Sequence, residues 1–299
     1  MKYEIEVVAN VAAFVGEAPV WDWRLNILYW TDIRRGSMYQ FDPATRENRK
    51  IHEGIFVGGL AVNRPGGLTL GTWEGVQLWR SDNDTAWLER GHIGGHPLQF
   101  NDCTAGPDGS FYAGTYFDDG IGKLFRFRPN GHAEVVAEDL GISNGMGFSP
   151  DLSTFYHTES ISRTIYRYDY DATNHVISNR HTLVKLGDDE GIPDGMTVDA
   201  DGFIWSANYG GGAVIRFDPD GKEERRIRFG ATQTSSVMFG GVDLSDLYVT
   251  SIARGDGLPP SGLEPKIYDF SAHRGGELFR VKLDIQGKRE FETEFLWPQ

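Results

Sequence analysis

A single cysteine, Cys103, stands among the 299 residues, so no disulfide can form within the chain. A lone thiol of this kind reads as a buried small hydrophobe rather than a nucleophile. No apolar run approaches the roughly 20 residues that a membrane span needs. The opening M-K-Y-E-I-E-V-V-A-N carries acids where a secretion signal would keep a basic region and then an apolar block. A soluble, cytoplasmic protein is therefore expected, with the sequon Asn83-Asp84-Thr85 incidental. Positive charge is also short: the formal net charge is −14, which argues against a nucleic-acid partner. The one dense basic patch, Lys222 to Arg228, includes Glu223 and Glu224 and reads as a solvated strand face. No H-E-x-x-H helix occurs, which disfavours zincin chemistry, and the G-x-S-x-G spacing at Gly141 to Gly145 leads into strand-like rather than helical residues, so it makes no nucleophile elbow. Gly210-Gly211-Gly212 precedes no helix and is a turn, not a phosphate loop. His92 and His96 share a Gly-rich loop without acidic partners, so they read as loop residues.

Long Ala/Leu/Glu/Lys runs are missing too, whereas glycine is plentiful, at 38 residues, and aromatics reach 13%. That balance favours many short strands joined by tight turns. The stretch Ile192 to Asn208, I-P-D-G-M-T-V-D-A-D-G-F-I-W-S-A-N, shows the unit: two strand-like segments around the turn Asp201-Gly202. Six copies begin near Pro19, Leu60, Cys103, Gly145, Gly195 and Val237, spaced 41, 43, 42, 50 and 42 residues apart. Each adds a third strand of alternating apolar and basic residues, such as Ala213 to Phe217, and a fourth, such as Arg225 to Phe229. Four antiparallel strands per period of roughly 42 residues predict an all-β, six-bladed β-propeller around a central channel, one domain over 1–299. Residues before Val11 and after Glu290 are expected to share a blade and close the ring. The long segment Ala253 to Gly275, with Pro259 and Pro260, reads as a loop covering one face.

Aligning the copies on their turns puts Glu17, Asn101, Asn144 and Asp194 at one station, the entry to the first strand. Copies two and six place Gly58 and Ser235 there. First strands line a propeller's channel, so these side chains should ring one of its mouths. Two carboxylates and two amides make an oxygen-rich cup suited to Ca²⁺, Mg²⁺ or Mn²⁺, and acceptable to Zn²⁺. The plainer alternative is that Asp and Asn at strand starts only cap turns. His157 falls where a second strand nears the channel mouth, as a substrate contact or a core histidine. Asp32, Glu159 and Asn208 share a neighbouring station and are expected to support the cup.

Several runs of this chain resemble the SMP-30/gluconolactonase/regucalcin-like (LRE) family. They are G-E-A-P-V-W-D (Gly16 to Asp22), F-N-D (Phe100 to Asp102), S-N-G with a following S-P-D, and P-D-G-M (Pro193 to Met196). V-I-R-F-D-P-D-G-K (Val214 to Lys222) and F-G-G-V-D-L-S-D-L-Y-V-T-S (Phe239 to Ser251) extend the likeness over nearly the whole sequence. The resemblance implies a six-bladed propeller that hydrolyses sugar lactones with one divalent metal ion. Ca²⁺ is the first expectation, with Zn²⁺, Mn²⁺, Mg²⁺ or Fe²⁺ as alternatives. It further implies Glu17, Asn144 and Asp194 as metal ligands, Asn101 beside the metal on the substrate, and Asp118 near an acidic residue that contacts the sugar. Several animal members carry Arg where this chain has Gln99. Losing that charged fork donor puts gluconolactone and a pentonolactone, such as xylonolactone or arabinonolactone, on an equal footing.

The expected chemistry is attack by water on the lactone carbonyl, with Asp194 as general base. Asn101 would orient substrate or donate to the oxyanion. Gln99, Asp118, His157, Tyr116 and Tyr209 are the remaining candidate sugar contacts. A phosphotriesterase-like hydrolase on the same scaffold and a non-enzymatic metal-binding regulator are the competing readings.

Overall fold

The computed structural model describes residues 3–117, 119–253 and 275–298. Six four-stranded antiparallel sheets account for almost all of it. Their inner strands are Gly16–Asp22, Val57–Val62, Phe100–Ala105, Ser143–Phe148, Ile192–Val198 and Thr234–Gly240. These pack on one another in chain order, and the last packs on the first, so the blades close a ring. The predicted six-bladed β-propeller is the fold.

Turn chemistry explains why the inner hairpins form where they do. At the tip of blade five, Asp199 Oδ1 accepts from the N–H groups of Asp201 (3.0 Å) and Phe203 (2.9 Å), and Gly202 takes φ +86°. Glycine reaches that left-handed backbone without penalty, which is what a D-G turn requires. Between blades, alternate side chains interdigitate as aromatic pairs. Trp205 meets Phe239 edge-on at 5.7 Å, and Trp21 stacks on Tyr248 at 5.9 Å, joining blades five to six and six to one.

One irregularity repeats in all six blades. Each inner strand carries an extra residue relative to its partner, with register shifts at Glu17/Val20, Val57/Gly59, Phe100/Cys103, Ser143/Met146, Pro193/Met196 and Thr234/Val237. A bulge bends its strand and re-aims side chains. Here it does so at the same height around the whole channel.

Ring closure differs from expectation in one half. Ile5–Asn10 does supply the outer strand of blade six, paired with Glu277–Lys282. The residues after Glu290 do not join that sheet. The tail instead crosses the far mouth of the channel and touches every blade. Gly287 N–H donates to Leu244 O (2.7 Å), Thr197 Oγ1 to Glu290 Oε1 (2.9 Å), and Glu294 N–H to Gly109 O (3.0 Å). Phe291 packs on Phe148, Thr293 N–H reaches Val62 O (2.9 Å), and Glu292 pairs with Arg24 (3.0 Å). Its polar groups meet strand-end partners, so the tail seals the ring rather than widening a blade. The segment expected to cover one face, 253–275, lies outside the described residues but for its two ends. No helix among the described residues is long and apolar enough to cross a membrane.

Candidate metal and substrate cup

The six bulges place Glu17, Gly58, Asn101, Asn144, Asp194 and Ser235 at one station, each following the residue that pairs with the end of the second strand. Hydrogen bonds stitch this ring between blades. Asn101 Nδ2 donates to Ser143 O at 2.9 Å. Asn144 Nδ2 donates to Ser160 Oγ at 3.0 Å, and that hydroxyl donates to Pro193 O at 2.8 Å. Ser235 Oγ donates to Gly16 O at 2.6 Å. Blade two contributes no side chain, and the reason is steric: a Cβ on Gly58 would stand 2.2 Å from Asn101 O.

Glu17, Asn144 and Asp194 are all buried. Desolvation drives the Glu17 carboxyl well above its usual range, and the charges of Asp194 and Asp102 add to the rise. Desolvation does the same to Asp194, again with Asp102 adding; the Asn144 amide and the Gly195 N–H pull the other way. Asp102, the second residue of its bulge, lines the channel with Ala18, Met146, Met196 and Ser236 around a cavity of about 40 Å³. Burial lifts its pKa to about 7. No arginine or lysine is among the causes for any of the three acids.

Whether a cation fits is answered by an orphaned atom. Asn144 Oδ1 is buried and has no hydrogen-bond partner, while its Nδ2 is fixed by Ser160. The amide nitrogen is thereby fixed and its oxygen is left unsatisfied, at a cost unless something positive meets it. Among the described residues no three His, Cys, Asp or Glu side chains are grouped to hold a metal. The fit therefore rests on two carboxylates and an unpartnered amide oxygen from neighbouring inner strands, a donor set for a hard divalent ion.

Other expected site residues fall into two groups. Tyr116, one residue past the second strand of blade three, and Tyr209, the last residue of the second strand of blade five, are half-buried and lie next out from the cup. Gln99 holds that rim in place, its carbonyl accepting from Tyr116 N–H at 2.8 Å. Asp118 lies outside the described residues. His157 is a correction: it is fully buried, with Nε2 2.6 Å from Ser143 Oγ, and desolvation presses its pKa down to about 3. It is a neutral core histidine supporting the strand that carries Asn144, and it cannot face a ligand. Asp32, Glu159 and Asn208 bond to backbone beside the cup strands. Asp32 accepts from Phe14 and Val15 N–H, Glu159 from Ile161 and Ser162 N–H, and Asn208 Nδ2 donates to Glu190 O. They tie down rim loops. Cys103 is buried as expected, with its thiol pKa raised by desolvation, so it is inert.

Sequence reasoning missed three residues. Ser160 and Trp73 occupy the same rim station as Tyr116 and Tyr209, and the turn alignment would have found both. Asp102 was beyond it, because strict alternation along a strand would turn a neighbour of Asn101 away from the channel. Only the bulge reverses that.

A closed six-bladed ring with a buried acidic cup at one mouth and a sealed far mouth defines a class of propellers built around a small polar ligand site. Residues 15–253 match the model of the SMP-30/gluconolactonase/LRE-like region, and the chain belongs to that family. It is 37% identical over 288 residues to pentonolactonase XacC of Haloferax volcanii, covering 96% of this chain and 97% of that one. Regucalcin of Xenopus laevis is 36% identical over 264 residues, 84% and 88% of the two chains. Among solved structures, a calcium-binding regucalcin from Agrobacterium tumefaciens superposes with a TM-score of 0.85 at 22% identity, covering 99% and 98%. That last likeness speaks to fold.

Proposed function

We propose that this protein is a metal-dependent lactonase that opens sugar lactones to aldonic acids, with pentonolactones as its first substrates. The observation that carries the reading is the cup itself: two buried acids and an unpartnered amide oxygen, with no cationic side chain to offset them. The likeness to a pentonolactonase along nearly the full length of both chains supports the reaction class and the smaller sugar. The calcium-binding description of a regucalcin with this fold supports Ca²⁺ first, before Zn²⁺, Mn²⁺, Mg²⁺ or Fe²⁺.

Glu17, Asn144 and Asp194 would hold the ion, which when bound polarises a carbonyl or acidifies water. Asp194 takes the proton from water as its oxygen bonds to the lactone carbonyl carbon. The ring C–O bond then breaks, and that proton passes to the departing ring oxygen to leave a free hydroxy acid. Asn101, with one N–H held by Ser143 O, keeps its second N–H for the developing oxyanion. Tyr116, Tyr209 and Gln99 line the approach to the sugar hydroxyls, with Asp118 a further contact that the family resemblance implies.

The test is acid release in a pH-stat, on protein stripped with chelator and re-supplied with one metal at a time. Pentono- and hexonolactones are compared with a phosphotriester. Metal-restored lactone turnover that drops roughly 10²–10⁴-fold in Asp194→Asn, the scale of a lost general base, supports the reading. Phosphotriester turnover exceeding that of every lactone would move the activity to another hydrolase class. Tight metal binding with no turnover of either would leave a binding protein.

A further inference from the structure

The rim station just outside the cup carries Trp73 on blade two, and Trp73 is locked into a column that crosses three blades. Tyr116 of blade three stacks on its ring at 5.9 Å with planes 29° apart. Phe56 meets it edge-on at 5.0 Å. The Arg34 guanidinium of blade one lies over it, 5.0 Å from the centroid. Each member sits within two residues of a strand end tied to the cup strands. Asp32 pairs with Gly16 beside Glu17, Thr72 with Val57 beside Gly58, and Thr115 with Phe100 beside Asn101. The column therefore spans the gap that Gly58 leaves in the ring of polar side chains.

We infer that Trp73 and Arg34 form the subsite that receives the sugar ring, a specificity-determining pair that the aromatic column holds over the glycine gap; this rests on the lactonase reading. Three observations favour that role over plain packing. Trp73 is half-buried and Phe56 and Arg34 are exposed, so the column is surface, not core. Trp73 Nε1 is shielded and has no hydrogen-bond partner, so no bond to the protein explains the choice of tryptophan here. Arg34 has no carboxylate partner among the described residues although the chain carries 43 acids, and only the indole fixes it. A guanidinium parked on an aromatic face beside a sugar site keeps its N–H fork free for ring hydroxyls. Phe56 and the part of the indole that stays exposed between Tyr116 and Arg34 offer apolar surface to the C–H face of the same ring.

The closing experiment measures KM and kcat for a pentonolactone, a hexonolactone and unsubstituted γ-butyrolactone, using metal-loaded wild type, Trp73→Ala, Trp73→Phe and Arg34→Gln. Thermal midpoints are recorded alongside. For both sugar lactones Trp73→Ala should raise KM roughly ten-fold and Arg34→Gln roughly three-fold, the scale of an aromatic or cation–π contact. Trp73→Phe should recover most of that loss. The KM for γ-butyrolactone, which has neither hydroxyls nor a sugar face, should stay within about two-fold of wild type, because this contact is absent from it. Sugar-lactone KM values unchanged in Trp73→Ala and Arg34→Gln, or an equal rise for all three lactones, would overturn the subsite while leaving the lactonase reading standing. Wild type inert on all three lactones would overturn that reading and the subsite with it. Should Trp73→Ala fail to fold, Arg34→Gln and Trp73→Phe decide the question alone.

Discussion

Buried carboxylates occur at both ends of this propeller, and the two ends treat them oppositely. At the turn end, Asp199 is fully buried, yet it accepts from Trp205 Nε1 and Arg216 Nε, each at 2.8 Å. The Arg216 guanidinium lies 3.7 Å from the Phe203 ring centroid. Blade three repeats the device with Asp108, Ser110 and the buried Arg126. At the cup end Glu17, Asp102 and Asp194 are as well buried, and only backbone and amide groups face them. Asp199 and Asp108 are compensated by arginine, whereas Glu17, Asp102 and Asp194 are not, and that contrast is what the proposed cation would answer. The same arithmetic that makes the first cluster a staple makes the second a candidate site.

The largest effect expected from breaking this contrast is at the staple. Arg216→Met keeps the bulk and strands Asp199, which should cost about 3–5 kcal/mol in denaturant unfolding, the usual penalty for removing one partner of a buried pair. A loss under 1 kcal/mol would mean that the turn end, like the cup, tolerates uncompensated acid.

Proton linkage should separate the ends next. Asp102 is held near pH 7 against an ordinary 3.8, so the folded chain keeps a proton that the unfolded chain gives up. Its contribution is complete below pH 3.8 and is lost as pH climbs through 7. Asp108 goes the other way. Burial raises it, but the Ser110 hydroxyl and the Arg126 charge outweigh that and hold it below 3.8. Its contribution is present above pH 3.8 and is lost as acid protonates it. His157, pressed to about 3, weakens the fold below pH 6.5 with or without metal and cancels in a difference. The measurement is therefore the thermal midpoint with Ca²⁺ minus that with chelator, from pH 5 to 8.5. It should widen steadily as pH rises, up to the shift produced by a stabilisation on the order of 2.7 kcal/mol once the ion is at about 100 times its Kd. A gap that is flat with pH would detach the metal from the cup acids.

Much of this was legible in the sequence because the propeller repeats itself. The spacing near 42 residues and the D-G turns fixed the blades, and aligning them brought Glu17, Asn101, Asn144 and Asp194 to the station where the structure finds them. What repetition could not reveal is whatever breaks it. The tail after Glu290 has no counterpart in other blades, so its path across the far mouth follows from contacts distant in sequence. His157 looked like a mouth residue by its place in a strand, but which face of that strand it occupies depends on the bulge at Ser143/Met146. The same one-residue shift hid Asp102. Local pattern identifies elements; a bulge, invisible to pattern, decides which side chain they present.

The smallest effect has the most telling sign. Glu17→Gln keeps the side chain's shape and an oxygen for the Ala18 N–H, which Glu17 Oε2 now accepts at 2.9 Å. It removes one of the charges that Asp194 and Asp102 repel. With chelator present at pH 8, the variant should be more stable than wild type by on the order of 1–2 kcal/mol, because no partner is stranded and a buried charge is gone. With excess Ca²⁺ it should show little or none of the rise that wild type shows. An acid whose neutralisation stabilises the empty protein and destroys its response to metal is kept for the metal. The matched change at the turn end, Asp199→Asn, should destabilise under both conditions, since it leaves Arg216 the unpaired charge. If Glu17→Gln instead weakens the chelated protein as Asp199→Asn does, the two ends are alike and the cup is a staple whose cation has been misjudged.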